Sequence, residues 1–280
     1  DAIEVSDVTL TPIEGDEVSR DLMLPYLGNA GVYLTGTYGK IEGEVELAGS
    51  GTAGTAPAWG PLMRACGMAE VTTAGVSVAY SPVSSGEEAA SIYWNADGVR
   101  HVLLGARGNV SVSLEPKKIP RLKVSFIGLL GTISDQALPT AVLTAFKKPV
   151  IVSKANTTLS LFGANRVAEK IDLDLGQKVE PRFLIGSESI EITDRSASGT
   201  IVVEAQPLAV VDWFAKAQSR ERGALAVVHG TVAGNIVEIA APALEIGKVG
   251  QGQTQGILNY SLPIIACPVV GNDELVITVR

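Results

Sequence analysis

The chain has 280 residues, of which 46% are apolar and 19% are charged, and its formal net charge is −8. This length is enough for one large domain or two of ordinary size, and the apolar fraction excludes a disordered chain. The acidic balance argues against broad adhesion to nucleic acid, because phosphate binding requires clustered Lys and Arg side chains.

Membrane insertion and a disulfide framework are not expected. The longest apolar stretches, residues 124–133 and 262–270, are interrupted by Gly, Ser, Thr or Pro and are shorter than the ~20 residues that span a bilayer. The first residues are acidic, so we expect no signal peptide. Cys66 and Cys267 are the two cysteines; they cannot make a four-ligand zinc site and are expected to be structural thiols in a reducing compartment.

The first half of the chain predicts an arm followed by a β-domain. Residues 1–27 contain Thr11-Pro12 and Leu24-Pro25, which break any long periodicity, so we expect an irregular arm. Residues 28–134 are assigned to a first domain. It opens with two strands within 31–48, joined around Gly36–Gly39, and a short helix that ends at Gly67 follows.

Further strands are expected in the first domain at 71–81, 91–94, 99–104, 109–115 and 121–130, where apolar residues alternate with polar ones. The Asn95-Ala-Asp-Gly98 segment is a hairpin signal, because Asp-Gly suits a tight turn. An extra hairpin between about Val76 and Leu104 is predicted to be an insertion that the second half lacks.

Residues 135–149 have no settled period and are predicted to be a linker, which leaves residues 150–280 for a second β-domain. The spacing of Val211, Phe214 and Ala215 predicts an amphipathic helix over 208–223. Further strands are expected at 150–162, 166–175, 189–193, 200–204, 225–229, 236–240 and 257–265.

The strand Lys40–Ala48 has a counterpart about 156 residues later. Its charged residues alternate with apolar ones, as in a strand with one buried face. Gly199, Ile201 and Val203 align with Gly43, Val45 and Leu47, and Pro181 aligns with Pro25. We therefore predict a mainly β fold made of two tandem β-sandwich domains, each with one packed α-helix.

No motif points to catalysis, a cofactor or a metal ion. Gly49–Gly54 matches G-x-G-x-x-G, but the charged strand before it and the proline-containing helix after it do not suit a dinucleotide site, so a flexible surface loop is expected. His101 and His229 lie beside apolar strands and are expected to be structural. Asp172 and Asp174 share a strand face that could hold calcium, although a solvated face is the better interpretation.

A small basic cluster contains Lys117, Lys118, Arg121 and Lys123. We expect either a solvated turn or a contact with Glu42, Glu44 or Glu46 of a neighbouring subunit.

Several segments together resemble the major tail tube proteins of long, non-contractile-tailed bacteriophages. The resemblance extends over roughly residues 30–265, and each segment alone is only moderately specific. The carriers are Tyr38–Ala48, Ala56–Gly67 with its L-x-x-A/C-G turn, Tyr80–Ser85, Gly98–Val112 with G-A-R-G, Pro120–Gly131, Leu161–Asn165, Ile171–Gly176, Ile192–Arg195 and Val228–Asn235.

The resemblance implies a self-assembling structural protein of the virion tail, made in the host cytoplasm, whose inner strands join those of neighbouring copies into a shared β-barrel. A duplicated chain would close a pseudo-hexameric ring from three copies, and the rings would stack into a tube. DNA and the tape-measure protein would pass through, and the tail terminator and distal tail proteins would flank the tube.

A channel wall that lets DNA pass should be polar or acidic and free of Lys and Arg rows. The alternative is a carbohydrate- or surface-binding β-sandwich module, which would need exposed aromatic platforms, although aromatic residues make up only 5%. A hydrolase would need an acid–base pair that the sequence does not offer. The candidate lumen-facing residues are Glu42, Glu44, Glu46, Ser198, Thr200, Ser125, Asn259 and Ser261.

Overall fold

The computed structural model describes residues 2–280, and strands dominate it, as the sequence predicts. Each half of the chain contributes one short helix. The first half contains β1 (Ser6–Ser19), β2 (Val32–Glu46), α1 (Gly60–Ala65), β3 (Met68–Thr73), β4 (Ser77–Pro82), β5 (Ala90–Ala96), β6 (Val99–Leu114), β7 (Arg121–Leu130) and β8 (Ser134–Asp135). The second half contains β9 (Thr157–Leu161), β10 (Ala164–Asn165), β11 (Ala168–Asp174), β12 (Gln177–Leu184), β13 (Ser187–Arg195), β14 (Ser198–Glu204), α2 (Trp213–Ser219), β15 (Gly223–His229), β16 (Val237–Ile246), β17 (Gly250–Thr254), β18 (Ile257–Ala266) and β19 (Val276–Val279).

Seven strands lie side by side in one antiparallel layer, which we call the shared sheet. Their order is β1, β2, β7, β6, β11, β14, β18. The β6–β11 pair joins the first half of the chain to the second. On the far side of β18 the last three residues of β16 and then β17 continue the layer. The halves therefore form one continuous sheet.

A second layer covers one face of the shared sheet. It runs β3, β4, β19, β16, β15, β9, so the last strand of the chain pairs with β4 from the first half and β16 from the second. A single core cluster lies between the layers and draws residues from both halves. The expected division into domains 28–134 and 150–280 stays a prediction; residues 136–149, inside the expected linker, contain neither strand nor helix.

The internal repeat is visible in the strand pairing. Strand β2 contains Gly43 and pairs with β7, and strand β14 contains Gly199 and pairs with β18; both partner strands bury apolar residues at matching positions. On the other side, β1 lies beside β2 as β11 lies beside β14. The equivalent pairs are Gly43–Val124 and Gly199–Ile264, then Val45–Leu122 and Ile201–Leu262. The proposed match of Pro25 with Pro181 is wrong, because Pro25 lies in the loop between β1 and β2 whereas Pro181 lies inside β12.

The two helices begin at equivalent tryptophans, which anchor them in the core. Trp59 and Trp213 are both buried, and their rings contact Tyr80 and Phe162 respectively. Helix α2 is shorter than the 208–223 that the spacing predicts, because Asp212 caps its N-terminus by accepting a hydrogen bond from the Ala215 amide at 2.9 Å.

Two predictions for the start of the chain are wrong. Residues 6–19 form strand β1 instead of an irregular arm, and 32–46 form one continuous strand instead of two joined around Gly36–Gly39. Gly36 has φ +60° and permits an irregularity within β2 without ending it. The predicted Asp-Gly hairpin is confirmed, since β5 and β6 meet at Asp97 and Gly98, both with positive φ.

Candidate lumen and assembly surfaces

The shared sheet has one apolar face and one polar face because its strands alternate. In β2 the glutamates 42, 44 and 46 lie on the face away from the core, whereas Ile41 and Val45 are buried against the second layer. Antiparallel neighbours directly opposite each other point to the same face. The strand registers therefore fix which side chains share the polar face.

Two rows of polar residues cross both halves on this face. The first row is Ser6, Glu44, Lys123, Ser111, Asp174 and Ser198. The second row is Glu46, Arg121, Ser113, Asp172 and Thr200.

The remaining candidates lie on the same face. Glu42 is opposite Ser125, whose hydroxyl donates to the carboxylate at 3.4 Å. Ser261 and Asn259 lie on β18, opposite Val202 and Glu204. The register thus brings all eight sequence-derived candidates to one surface.

Asn259 differs from the other candidates because it is buried. Its amide donates to the Glu169 carboxylate and to the Thr254 hydroxyl, each at 2.8 Å. Its side chain tethers β17 and β11 over the polar face, so it is a structural member of this surface in the single chain.

Several charges on the polar face are paired within the chain. Glu44 contacts Arg121 at 3.0 Å and Lys123 at 3.3 Å. Burial alone would raise the pKa of Glu44, but the hydrogen bonds from these two cations leave the pKa below its ordinary value. The β2–β7 register places Arg121 and Lys123 beside Glu44 of the same chain, and the expected contact across a subunit boundary stays a prediction.

Sequence reasoning missed the contribution of β6 to this surface. Ser113 donates to Asp172 and Asn109 donates to Asp174, both at 2.7 Å. Lys170 also pairs with Asp172 at 2.6 Å. The alternation of β6 residues with buried Val110 and Val112 was the available signal. These contacts explain the two aspartates without calcium.

The β6–β11 pair shows how one copy of the repeat meets the next. Val112 lies opposite Leu173, and the Leu175 amide donates to the Val110 carbonyl at 3.1 Å. In the repeat, β11 is equivalent to β1, and the end of β6 is equivalent to the β16–β17 edge. Among residues 2–280, β1 pairs only with β2 and β17 only with β18. The chain therefore carries two unpaired edges whose equivalents pair at its centre.

Side-chain exposure agrees with this comparison. Ser6 lies opposite Glu44, and Asp172 lies opposite Thr200, which is equivalent to Glu44 in the repeat. Ser6 is therefore equivalent to Asp172, and Val5, just before β1, is equivalent to Ile171 of β11. Ile171 is 4% exposed beneath β6, whereas Val5 is 37% exposed. The outer edge of β1 lacks the apolar cover that β11 receives.

The glycine-rich segment is a surface loop, as expected, and two of its amides are held by the second half of the chain. The Gly49 amide donates to the Asn235 side chain at 2.6 Å, and the Gly51 amide donates to the Gly234 carbonyl at 2.9 Å. These amides are therefore engaged by the second half and do not form a phosphate cradle. In the described range 2–280, no cluster of three potential metal ligands occurs, and no helix is long and apolar enough to cross a bilayer.

His229 is buried and structural, as expected. Its Nδ1 atom lies 2.8 Å from the Thr157 hydroxyl and its Nε2 atom 2.9 Å from the Val150 carbonyl. Burial lowers the pKa of His229, and the Val150 hydrogen bond offsets this only in part. The neutral ring is therefore the form that the fold accepts.

We expect this histidine to make stability depend on pH. Its contribution should be fully present above the unfolded-state pKa of about 6.5 and should fall as the pH drops below it, because the unfolded chain then takes up a proton that the folded chain refuses. His229→Gln should reduce the difference between urea midpoints measured at about pH 7.5 and about pH 5.5. An unchanged difference in His229→Gln would contradict the prediction.

Comparison with known proteins gives one result that covers most of the chain. A family model described as Phage tail tube protein matches residues 14–266. No curated protein matches the chain. The match does not favour the carbohydrate-binding alternative, and Trp59 and Trp213 are buried in the core and unable to form an exposed platform.

Proposed function

The chain belongs to the phage tail tube protein family and is a structural component of the virion tail. From this premise we propose that three copies close into a ring. Each copy would supply two repeats, so the ring would have pseudo-sixfold symmetry. Rings would then stack into the tube that conducts DNA and the tape-measure protein, between the tail terminator and the distal tail proteins. Assembly would take place in the host cytoplasm. On this proposal the protein has no catalytic role.

The observation that carries this proposal is the β6–β11 junction inside the chain. The free outer edge of β1 and the free β16–β17 edge are equivalent to the two strands that pair there. Repeating the same contact between chains joins the β1 edge of one copy to the β16–β17 edge of the next. Such head-to-tail contacts form a ring when the successive rotations between copies add up to a full turn, and the ring leaves no exposed strand edges in the shared sheet.

The polar face of the shared sheet is the surface that we assign to the lumen. It carries Glu42, Glu44, Glu46, Ser125, Ser198, Thr200 and Ser261, with Asn259 buried beneath its neighbours. Its cations are not arranged as a row free to bind phosphates, because Arg121 and Lys123 share Glu44 and Lys170 pairs with Asp172. A wall with paired charges lets DNA move without the counterion release that drives tight binding.

Negative-stain imaging of the purified protein, with native mass spectrometry of released rings, tests the proposal. We expect tubes or stacked rings, and a ring mass equal to three chains. A protein that stays monomeric at every concentration at which tail proteins assemble would overturn the function. Rings of six chains would retain the tube and refute the proposed stoichiometry.

A further inference from the structure

The second repeat contains a hairpin that lies outside the shared sheet and packs against the first repeat. This second hairpin (residues 177–195) comprises β12 and β13. The Gln177 side chain donates to the Cys66 carbonyl, at the end of α1, at 2.9 Å. Arg107 of β6 donates to the Ile190 carbonyl and pairs with Glu191. The second hairpin is thus bound to the helix end and to the edge strand of the preceding repeat.

The first repeat has an equivalent hairpin, and most of its length is exposed where the second hairpin is covered. This first hairpin (residues 12–39) comprises the distal half of β1, the loop 20–31 and the first part of β2. At the repeat spacing of 156 residues, Leu34 corresponds to Ile190. Ile190 is 2% exposed, whereas Leu34 is 50% exposed. The other exposed apolar residues of the first hairpin include Val18, Met23, Leu27, Val32 and Tyr33.

The two hairpins already touch where the second one ends. The Phe183 ring packs against Gly36, so closely that a Cβ atom there would lie 3.1 Å from the ring. The second hairpin therefore extends over the first repeat as far as the base of the first hairpin. The first hairpin has no preceding repeat within its own chain.

We propose that the first hairpin docks on a second copy of this chain, across the C-terminal end of α2. This surface is equivalent to the end of α1, because Trp59 and Trp213 begin the two helices and Cys66 then corresponds to Arg220. The partner is the same copy whose β16–β17 edge receives β1, so the inference rests on the proposed ring and adds a second contact to it.

Charge complementarity supports this occupant. The strand residues of the first hairpin include Glu14, Asp16 and Glu17, which are all exposed. Arg220 is exposed at the end of α2 and, among residues 2–280, makes no ion pair, whereas its neighbours Lys216 and Arg222 are paired with Glu221 and Glu245. In the second hairpin an acidic residue, Glu191, also meets a cation of the surface beneath it. The same polarity is available between copies.

Two sets of variants test the docking. Val18→Ser with Leu34→Ser removes two exposed apolar groups, so the free chain should keep its thermal midpoint while tube yield in negative-stain images falls about tenfold or more, because the contact recurs at every junction. The matched control is Ile185→Ser, at the exposed turn of the second hairpin, which should leave ring closure unchanged. Asp16→Lys and Arg220→Glu should each reduce ring yield, and the combination of the two in one chain should restore it.

The outcomes separate this inference from the proposed function. Wild-type tubes together with normal assembly of the Val18/Leu34 variant would overturn the docking and leave the tube intact. Failure of the charge swap to restore rings, with both single variants impaired, would place the first hairpin on a surface other than the end of α2 and overturn the assignment. Absence of any wild-type assembly would overturn both proposals.

Discussion

Replacing Gln251 and Gln253 together with proline should abolish ring closure and leave the chain folded. Both residues lie on β17, the strand at the free edge of the second repeat, and both side chains are exposed. Proline lacks the backbone N–H, and at an edge strand this removes donors that face a neighbouring strand. On the proposed ring, that neighbour is β1 of the next copy.

The internal junction identifies which amides face outward. Leu47 and Val203 are equivalent in the repeat. The Leu47 amide donates to the Pro120 carbonyl, and Val203 lies opposite Tyr260, so Pro120 and Tyr260 occupy equivalent positions. Gln251 lies opposite Tyr260 and therefore takes the place of Leu114, which pairs with β11. Hydrogen-bonding direction alternates along an antiparallel strand, so Gln253 faces the same way. Neither proline should remove a hydrogen bond to β18.

The control is the double alanine variant, which keeps both amides and removes the same side chains. We expect it to assemble as the wild type does, whereas the proline variant remains a folded single chain by size-exclusion chromatography and far-UV circular dichroism. Each lost intermolecular hydrogen bond is worth about 1 kcal/mol, and every junction of a ring loses both. Rings formed normally by the proline variant would contradict the proposed closing edge.

The sequence predicted those strands whose pattern is local. Lys40–Glu46 alternates charged and apolar residues because one face meets the core, and β2 has that arrangement. The hairpin at Asp97-Gly98 follows from turn chemistry alone. The repeat could also be recognised in the sequence, because Gly199, Ile201 and Val203 contact partner positions equivalent to those of residues 43, 45 and 47.

Features that depend on distant partners could not be read in this way. Strand β1 contains Pro12 and has register shifts along its pairing with β2, so its polar residues do not alternate regularly; its strand conformation depends on β2. Strand β19 pairs with both halves at once. The pairing of Arg121 with Glu44 within one chain required the β2–β7 register, which composition and charge spacing do not supply.

The lumen candidates show the same division. Glu42, Glu44 and Glu46 could be assigned to one face from alternation, and that face is polar. Which strands extend this face depends on β6 meeting β11, so the contribution of Ser111 and Ser113 required the sheet order. The assignment of the face to a lumen depends on assembly and is a proposal.

Removing one partner of the Arg195–Glu274 pair should be the most destabilising single change at the junction of the two halves. The Nε atom of Arg195 lies 2.5 Å from the Glu274 carboxylate, and the guanidinium also donates to the Val83 carbonyl at 2.7 Å and the Asn272 side chain at 2.8 Å. The two paired side chains are only 13% and 8% exposed. Arg195 thus fastens the second hairpin to the first half and to the C-terminal segment.

Arg195→Met should lower the free energy of unfolding by about 3 kcal/mol, because it leaves a buried carboxylate without its cation. Urea denaturation of the unassembled chain measures this, with the slope of the transition checked against the wild type. Arg195→Met combined with Glu274→Met should recover most of the loss, since two apolar side chains can replace a buried ion pair at little cost. A single variant as stable as the wild type would show that the pair is solvated and does not hold the hairpin.

The double variant also separates stability from geometry. It keeps the core but loses the hydrogen bonds to Val83 and Asn272 that place the second hairpin on the first half. If that placement sets the rotation between the two repeats, the double variant should fold with near-normal stability yet close fewer rings than the wild type. Normal stability with normal ring yield would mean that the β6–β11 pairing alone fixes the rotation, and the second hairpin would then serve only to cover the end of α1.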